Sequence, residues 1–236
     1  MKATELIKEL KSQSSEAKKR TNEWFFKTGK GEYGEGDKFL GLTVPQVRAI
    51  AKKVFSEITL NETLEILHNE YHEARLLALI ILVMKFERAK EVESRKEIFD
   101  LYLKNTKFIN NWDLVDLSAH QIVGGYLADK PRDILYKLAK SSDLWEKRIS
   151  IISTFHFIGL GESKDTLAIS EILLNDKHDL IHKATGWMLR EVGKKIDMEI
   201  IRGFLKKYHK TMPRTMLRYT IEHMDKEERL KWMAKD

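Results

Sequence analysis

Apolar residues recur every three to four positions along most of the chain, and few stretches show the two-residue alternation of a half-buried strand. Thr4 to Lys11 and Ser15 to Phe26 read as amphipathic helices, the second ending in Trp24, Phe25 and Phe26. Thr43 and Pro45 open a third that carries Arg48, Lys52 and Lys53, and Asn61 caps a fourth that runs to about His68. His72 to Phe86 is strongly apolar, Val92 to Asn105 more amphipathic, and Trp112 to Leu127 apolar again. Pro131 starts a shorter helix, followed by Leu144 to Ile158, Thr166 to Leu174, Asp179 to Lys194, Asp197 to His209, Met212 to His223 and Lys226 to Trp232. Only 3 prolines interrupt the chain, and no Gly/Ser-rich or Pro-rich linker divides it. A single domain over residues 1–236 is expected, all-α throughout.

The helices alternate with a period. Arg75, Trp112, Arg148, Lys183 and Arg218 each stand in the first turn of an apolar helix, at successive separations of 37, 36, 35 and 35 residues. Two helices per unit at such a spacing predict a right-handed or curved α-solenoid of HEAT-like helical repeats. Stacking places equivalent residues in a row. The first row is Arg75, Trp112, Arg148, Lys183 and Arg218, and the row one turn later is Leu79, Asp116, Ile152, Trp187 and Glu222. Four of the five first-row residues are basic, which predicts a concave basic groove able to follow a phosphate backbone. The same charges would otherwise be ordinary surface residues in a chain that is 33% charged.

Composition narrows the partner and the chemistry. The chain of 236 residues carries 42 Lys and Arg against 36 Asp and Glu, a net charge of +6, so a polyanion fits if the positive charges cluster. There is no cysteine, which excludes disulfides, thiolate catalysis and cysteine-held metals and suits a reducing cytoplasm. The longest apolar run, Leu76 to Met84, is too short to span a bilayer, and the charged amino terminus resembles no signal peptide. A cytoplasmic monomer with no membrane attachment is the expectation.

Two apparent motifs lack their context. The loop GKGEYGEGDKFLG, Gly29 to Gly41, holds a formal GxGxxG at Gly29, Gly31 and Gly34, but no apolar strand precedes it and no βαβ unit surrounds it. His178 and His182 frame an HDLIH that resembles a zinc motif with Asp for Glu, without a third ligand. Neither a metal nor a cofactor is expected.

The chemistry points to KFINNWDLVDLSAHQIVGG, Lys107 to Gly125. Trp112 and Asp116 are four residues apart, so a helix presents them on one face and turns Asp113 elsewhere. A carboxylate in a groove built for phosphates repels its own ligand, and so implies a cationic target. The oxocarbenium-like transition state of glycosidic bond cleavage is such a cation. Arg148 would grip a flanking phosphate or hold the carboxylate in place. Arg48, Lys52, Lys183 and Arg190 are candidate phosphate contacts.

NNWDLVDLS, LWEKRISIIS, DLIHKATGWMLREVG and FLGLTVPQVR together resemble the AlkD family of DNA alkylation repair glycosylases, over nearly the whole chain. The resemblance implies HEAT-like repeats and excision of cationic N7-methylguanine and N3-methyladenine from double-stranded DNA, without metal or small-molecule cofactor. It also implies that Trp112 and Trp187 flank the lesion's deoxyribose, that Asp116 stabilises the sugar cation and positions water, and that Arg148 contacts the backbone. Asn110 and Asn111 receive no role from it. Two other readings stay open: a helical-repeat module gripping a protein, and a relative that binds structured or damaged DNA without cutting the glycosidic bond.

Overall fold

The computed structural model describes residues 2–234. Fourteen α-helices form among them, and the only β pairing there is an isolated bridge between Lys38 and Tyr71. The helices pack as two compact units, Met1–Ile122 and Val123–Asp236.

The first unit contains α1 (Ala3–Ser12), α2 (Glu16–Phe25), α3 (Val44–Val54), α4 (Leu60–Leu67), α5 (His72–Arg88), α6 (Val92–Lys104), a 3-10 turn at Thr106–Phe108, and α7 (Trp112–Asp116). Its centre is α5, which touches α1, α3, α4, α6 and α7. That explains why α5 is apolar almost all round: every residue from His72 to Val83 is buried, where a helix with one neighbour would keep a polar face. Its polar residues are confined to the ends, where loops and caps supply partners.

The second unit contains α8 (Asp133–Ala139), α9 (Leu144–Gly159), α10 (Lys164–Leu173), α11 (Asp179–Lys195), α12 (Met198–Tyr208), α13 (Arg214–Thr220) and α14 (Lys226–Met233). Here α9, α11 and α13 lie side by side, while α8 and α10 pack on α9, and α10 and α12 on α11. This two-layer arrangement is the paired stacking anticipated from the period near 35 residues. Gly186 allows α11 and α13 to approach closely, because a Cβ there would stand 2.5 Å from the Met216 carbonyl oxygen. No helix among the described residues is long and apolar enough to cross a membrane.

Two local expectations need correction. Asn61 does not cap α4. Thr59 does: its hydroxyl accepts from the Glu62 amide at 3.2 Å and its own amide donates to Glu62 Oε2 at 3.0 Å, a reciprocal pair that leaves Asn61 inside the first turn. Nor is Trp112 to Leu127 one helix. α7 stops at Asp116, and a π-helical turn follows at His120–Gly124. The Ser118 hydroxyl bonds back to the Leu114 carbonyl at 2.6 Å, a side-chain bond of the kind that loosens and bends helical backbone. The result is a short, separately held α7.

Candidate active site

Because α7 has only five residues, its own hydrogen bonds cannot hold it, and its surroundings must. At its start, Asn111 is fully buried and its side-chain oxygen accepts from the Trp112 amide at 2.8 Å. The Asn111 Nδ2 donates to Asp37 at 3.2 Å, so the residue without an assigned role is the cap that ties α7 to the glycine-rich loop. Beyond its end, the buried Tyr102 hydroxyl lies 2.9 Å from Ser118 Oγ. Since Ser118 donates its one hydroxyl hydrogen to Leu114, Tyr102 donates to Ser118. Burial, with the Asp116 charge adding to it, raises the Tyr102 phenol above its ordinary range, so it stays a neutral donor.

The middle of α7 is held by charge. Asp113 Oδ2 stands 2.8 Å from His72 Nε2, and Asp37 Oδ2 stands 3.2 Å from His72 Nδ1. Asp37 also pairs with Arg75. An imidazole with a carboxylate at each nitrogen carries both ring hydrogens and is positively charged. His72 is entirely buried, which by itself would push its pKa down; Asp113 and Asp37 override this and push it up to about 9. Burial likewise opposes ionisation of Asp37, yet hydrogen bonds from His72 and Asn111 and the Arg75 charge hold its carboxyl below the usual range. The network thus balances two cations with two carboxylates, Asp113 being its one partly exposed member.

Linkage sets the pH range over which this network stabilises the fold. His72 has a folded pKa near 9 against an ordinary 6.5, so its contribution is full below about pH 6.5 and disappears as pH rises through 9. Asp37, shifted the other way, contributes above its ordinary 3.8 and loses that contribution as pH falls. The thermal midpoint is therefore expected to drop between pH 7 and about 9.5, by up to about 3 kcal/mol in stability. Calorimetry on the protein and on His72→Gln checks this, since the variant should lose the alkaline drop.

Aromatic rings complete the setting. The rings of Phe39 and His72 stack with centroids 4.6 Å apart, Phe26 stacks on Phe39 at 5.1 Å, and Trp112 stacks on Phe26 at 5.5 Å. Phe25 meets Trp112 edge-on at 5.9 Å. The glycine-rich loop is therefore more than a connection: it delivers Asp37 and Phe39 to the start of α5. The amides of Gly29 and Gly31 donate to the carboxylates of Glu32 and Glu35, so the formal GxGxxG amides are engaged within the loop.

Trp112 and Asp116 share α7, and both are partly exposed. On α3, Arg48 and Lys52 are exposed and one turn apart. In the second unit, Arg148 on α9 is buried, with Nη1 donating to the Leu180 carbonyl at 2.6 Å. It is therefore fastened to α11, the helix that carries Lys183, Trp187 and Arg190. Lys183 pairs with Asp179 at 2.7 Å, Arg190 pairs with Glu222 and Glu191, and the partly exposed Trp187 lies 6.0 Å from the Phe155 ring. The basic row needs correction where its members are buried: at Arg148, as above, and at its first member, Arg75, which is bonded to Asp37 and to the Asn69 and Glu70 carbonyls. Periodicity aligned it with the others but could not reveal that its charge is neutralised inside. The two histidines of HDLIH are structural: His178 Nδ1 accepts from the Leu180 amide at 3.2 Å, and His182 Nε2 donates to the Asp176 carbonyl at 2.6 Å.

Paired, stacked helices, with an aromatic and a carboxylate on one short helix, define an all-α repeat protein bearing a candidate functional site. A family model described as DNA alkylation repair enzyme matches residues 6–224, and the chain belongs to that family. It is accordingly an enzyme of alkylated-DNA repair, with DNA as its partner. Among solved structures it is similar to a predicted DNA alkylation repair enzyme from Enterococcus faecalis, at 15% identity and a TM-score of 0.70, over 91% of this chain and 98% of that one. That likeness shows the shared all-helical fold. No curated protein matches the chain.

Proposed function

We propose that the chain is a DNA glycosylase that hydrolyses the N-glycosidic bond of cationic alkylated bases, N7-methylguanine and N3-methyladenine, in duplex DNA. The observation carrying this reading is the division of labour on α7. Asp113 is held by His72, and Trp112 and Asp116, both partly exposed, stand one turn apart on the same helix. A fixed helix that carries a partly exposed carboxylate one turn from an indole can present negative charge and an aromatic face together to a cation.

The chemistry follows from a base that is already positive. As the bond from C1′ to the base nitrogen breaks, its electron pair neutralises the base, which leaves without a general acid. Positive charge passes to the sugar, where Asp116 stabilises it and orients the water whose oxygen bonds to C1′; the water's proton leaves to the carboxylate or solvent. Trp112 lends its indole face to the same cation. Trp187 is assigned to contact with the deoxyribose and Arg148 to orientation and backbone contact. Arg48 and Lys52, exposed on α3, are assigned to phosphates, with Lys183 and Arg190 as further contacts that must exchange their present carboxylate partners for DNA. The chain acts as a monomer and without metal or cofactor.

The test is to incubate N-methylated duplex DNA with the protein and measure released bases and abasic sites. Release of both adducts is expected. Salt-sensitive DNA binding without release would favour a non-catalytic DNA-binding protein, and no such binding would favour a protein-gripping module. Trp187→Ala is expected to slow release by no more than about thirtyfold, the equivalent of the 0.5–2 kcal/mol of an indole against a cation. Single-turnover kinetics beside Asp116→Asn check the order, and a larger loss in Trp187→Ala would reverse the assignment of the dominant role.

A further inference from the structure

His72 is the first residue of α5, yet it touches α7 directly and also reaches the ring and the loop that support it. Through Nε2 it holds Asp113, the residue between Trp112 and the remainder of the helix. Through its ring it supports Phe26, whose centroid lies 4.9 Å away and which itself stacks on Trp112 at 5.5 Å. Through Nδ1 it is fixed by Asp37, which also receives the cap residue Asn111. A helix of five residues can roll about its axis unless something off the axis stops it, and a roll that frees Asp113 must swing Trp112 and Asp116 with it.

We propose that His72, acting through Asp113 and the Phe26 ring, is the positioning residue that fixes the roll of α7 and thereby the direction in which Trp112 and Asp116 meet the DNA. This rests on the assignment of Trp112 and Asp116 to the reaction. His72 itself touches no substrate; its effect is on the geometry of those that do. Misplacing a reacting group by about 1 Å costs about a hundredfold in rate, while binding through distant phosphate contacts is untouched.

The experiment compares wild type with His72→Gln, His72→Ala, Asp113→Asn and the His72→Gln/Asp113→Asn double variant. Its readouts are single-turnover release of N7-methylguanine, affinity for undamaged duplex, the thermal midpoint, and the Trp112 indole N–H resonance, assigned by its loss in Trp112→Phe. His72→Ala is expected to lower the release rate by about ten- to a hundredfold, with duplex affinity changed by less than about threefold and the indole resonance shifted or broadened. Gln, which keeps a donor toward Asp113, should lose less than Ala, and the double variant should lose no more than its worse single parent, because both changes remove one link. Where His72→Ala does not fold, His72→Gln carries the comparison. A folded His72→Gln with wild-type release and an unmoved Trp112 resonance overturns the proposal, as does a loss confined to duplex affinity. If wild type releases no base, the glycosylase reading fails instead; the Trp112 resonance in His72→Gln then decides positioning alone, movement supporting it and none refuting it.

Discussion

Asp116→Asn is expected to slow release of N7-methylguanine by about a thousandfold while leaving affinity for undamaged duplex unchanged or slightly higher. Asparagine has nearly the same shape, so α7 and the stack of Trp112 on Phe26 should persist. What disappears is one negative charge. At about 4 Å and an effective dielectric near 20, that charge is worth roughly 4 kcal/mol against a sugar cation, or about three powers of ten in rate. The same charge repels phosphates in the ground state, so its removal cannot weaken binding through electrostatics. Rate loss with retained affinity identifies an interaction made in the transition state. Equal release by both proteins would remove Asp116 from the mechanism, and a parallel loss of affinity would make it a binding or folding residue.

The sequence made this pair visible because a four-residue spacing within one helix is a local property, and Trp112 and Asp116 do share α7. The helices themselves were legible for the same reason, with apolar spacing placing all of them and missing chiefly at their ends, as at Thr59. The break after Asp116 was hidden. Its cause is a hydroxyl bond from Ser118, while the apolar rhythm continues through Ile122 and Val123. The network that holds α7 was hidden for a different reason. His72 meets Asp37 and Asp113 across 35 and 41 residues, and Asn111 meets Asp37 across 74, separations on which periodicity carries no information. One signal was present: a helix as apolar as α5 that begins with His72, Glu73 and Arg75 must bury those groups with partners. By that rule Arg75 belongs with a buried carboxylate, which Asp37 of the glycine-rich loop supplies, and not in a groove.

Glu73→Ala is expected to destabilise the first unit by about 3–5 kcal/mol, a large part of the 5–15 kcal/mol that ordinarily separates folded from unfolded protein. Glu73 is 1% exposed, and its carboxylate accepts from three successive amides, Leu40 at 2.9 Å, Gly41 at 2.8 Å and Leu42 at 3.2 Å. Each amide left buried without an acceptor costs about 1–3 kcal/mol, and alanine brings no oxygen to replace the lost one. The loop cannot readily move to find other partners. Gly41 has φ +82°, and a Cβ on it would lie 2.2 Å from the Ser15 carbonyl, so the backbone is fixed against the start of α2. Glu73→Gln should fall between wild type and alanine, because its amide oxygen can still accept while its NH2 faces a donor. Urea unfolding of the three proteins measures the series, and a loss below about 1 kcal/mol in Glu73→Ala would mean that water or a rearranged loop satisfies the amides. The same segment carries Asp37 and Phe39 to His72, so the folded Glu73→Gln protein should also show a weaker alkaline drop in stability, linking the loop's anchor to the charge network that holds α7.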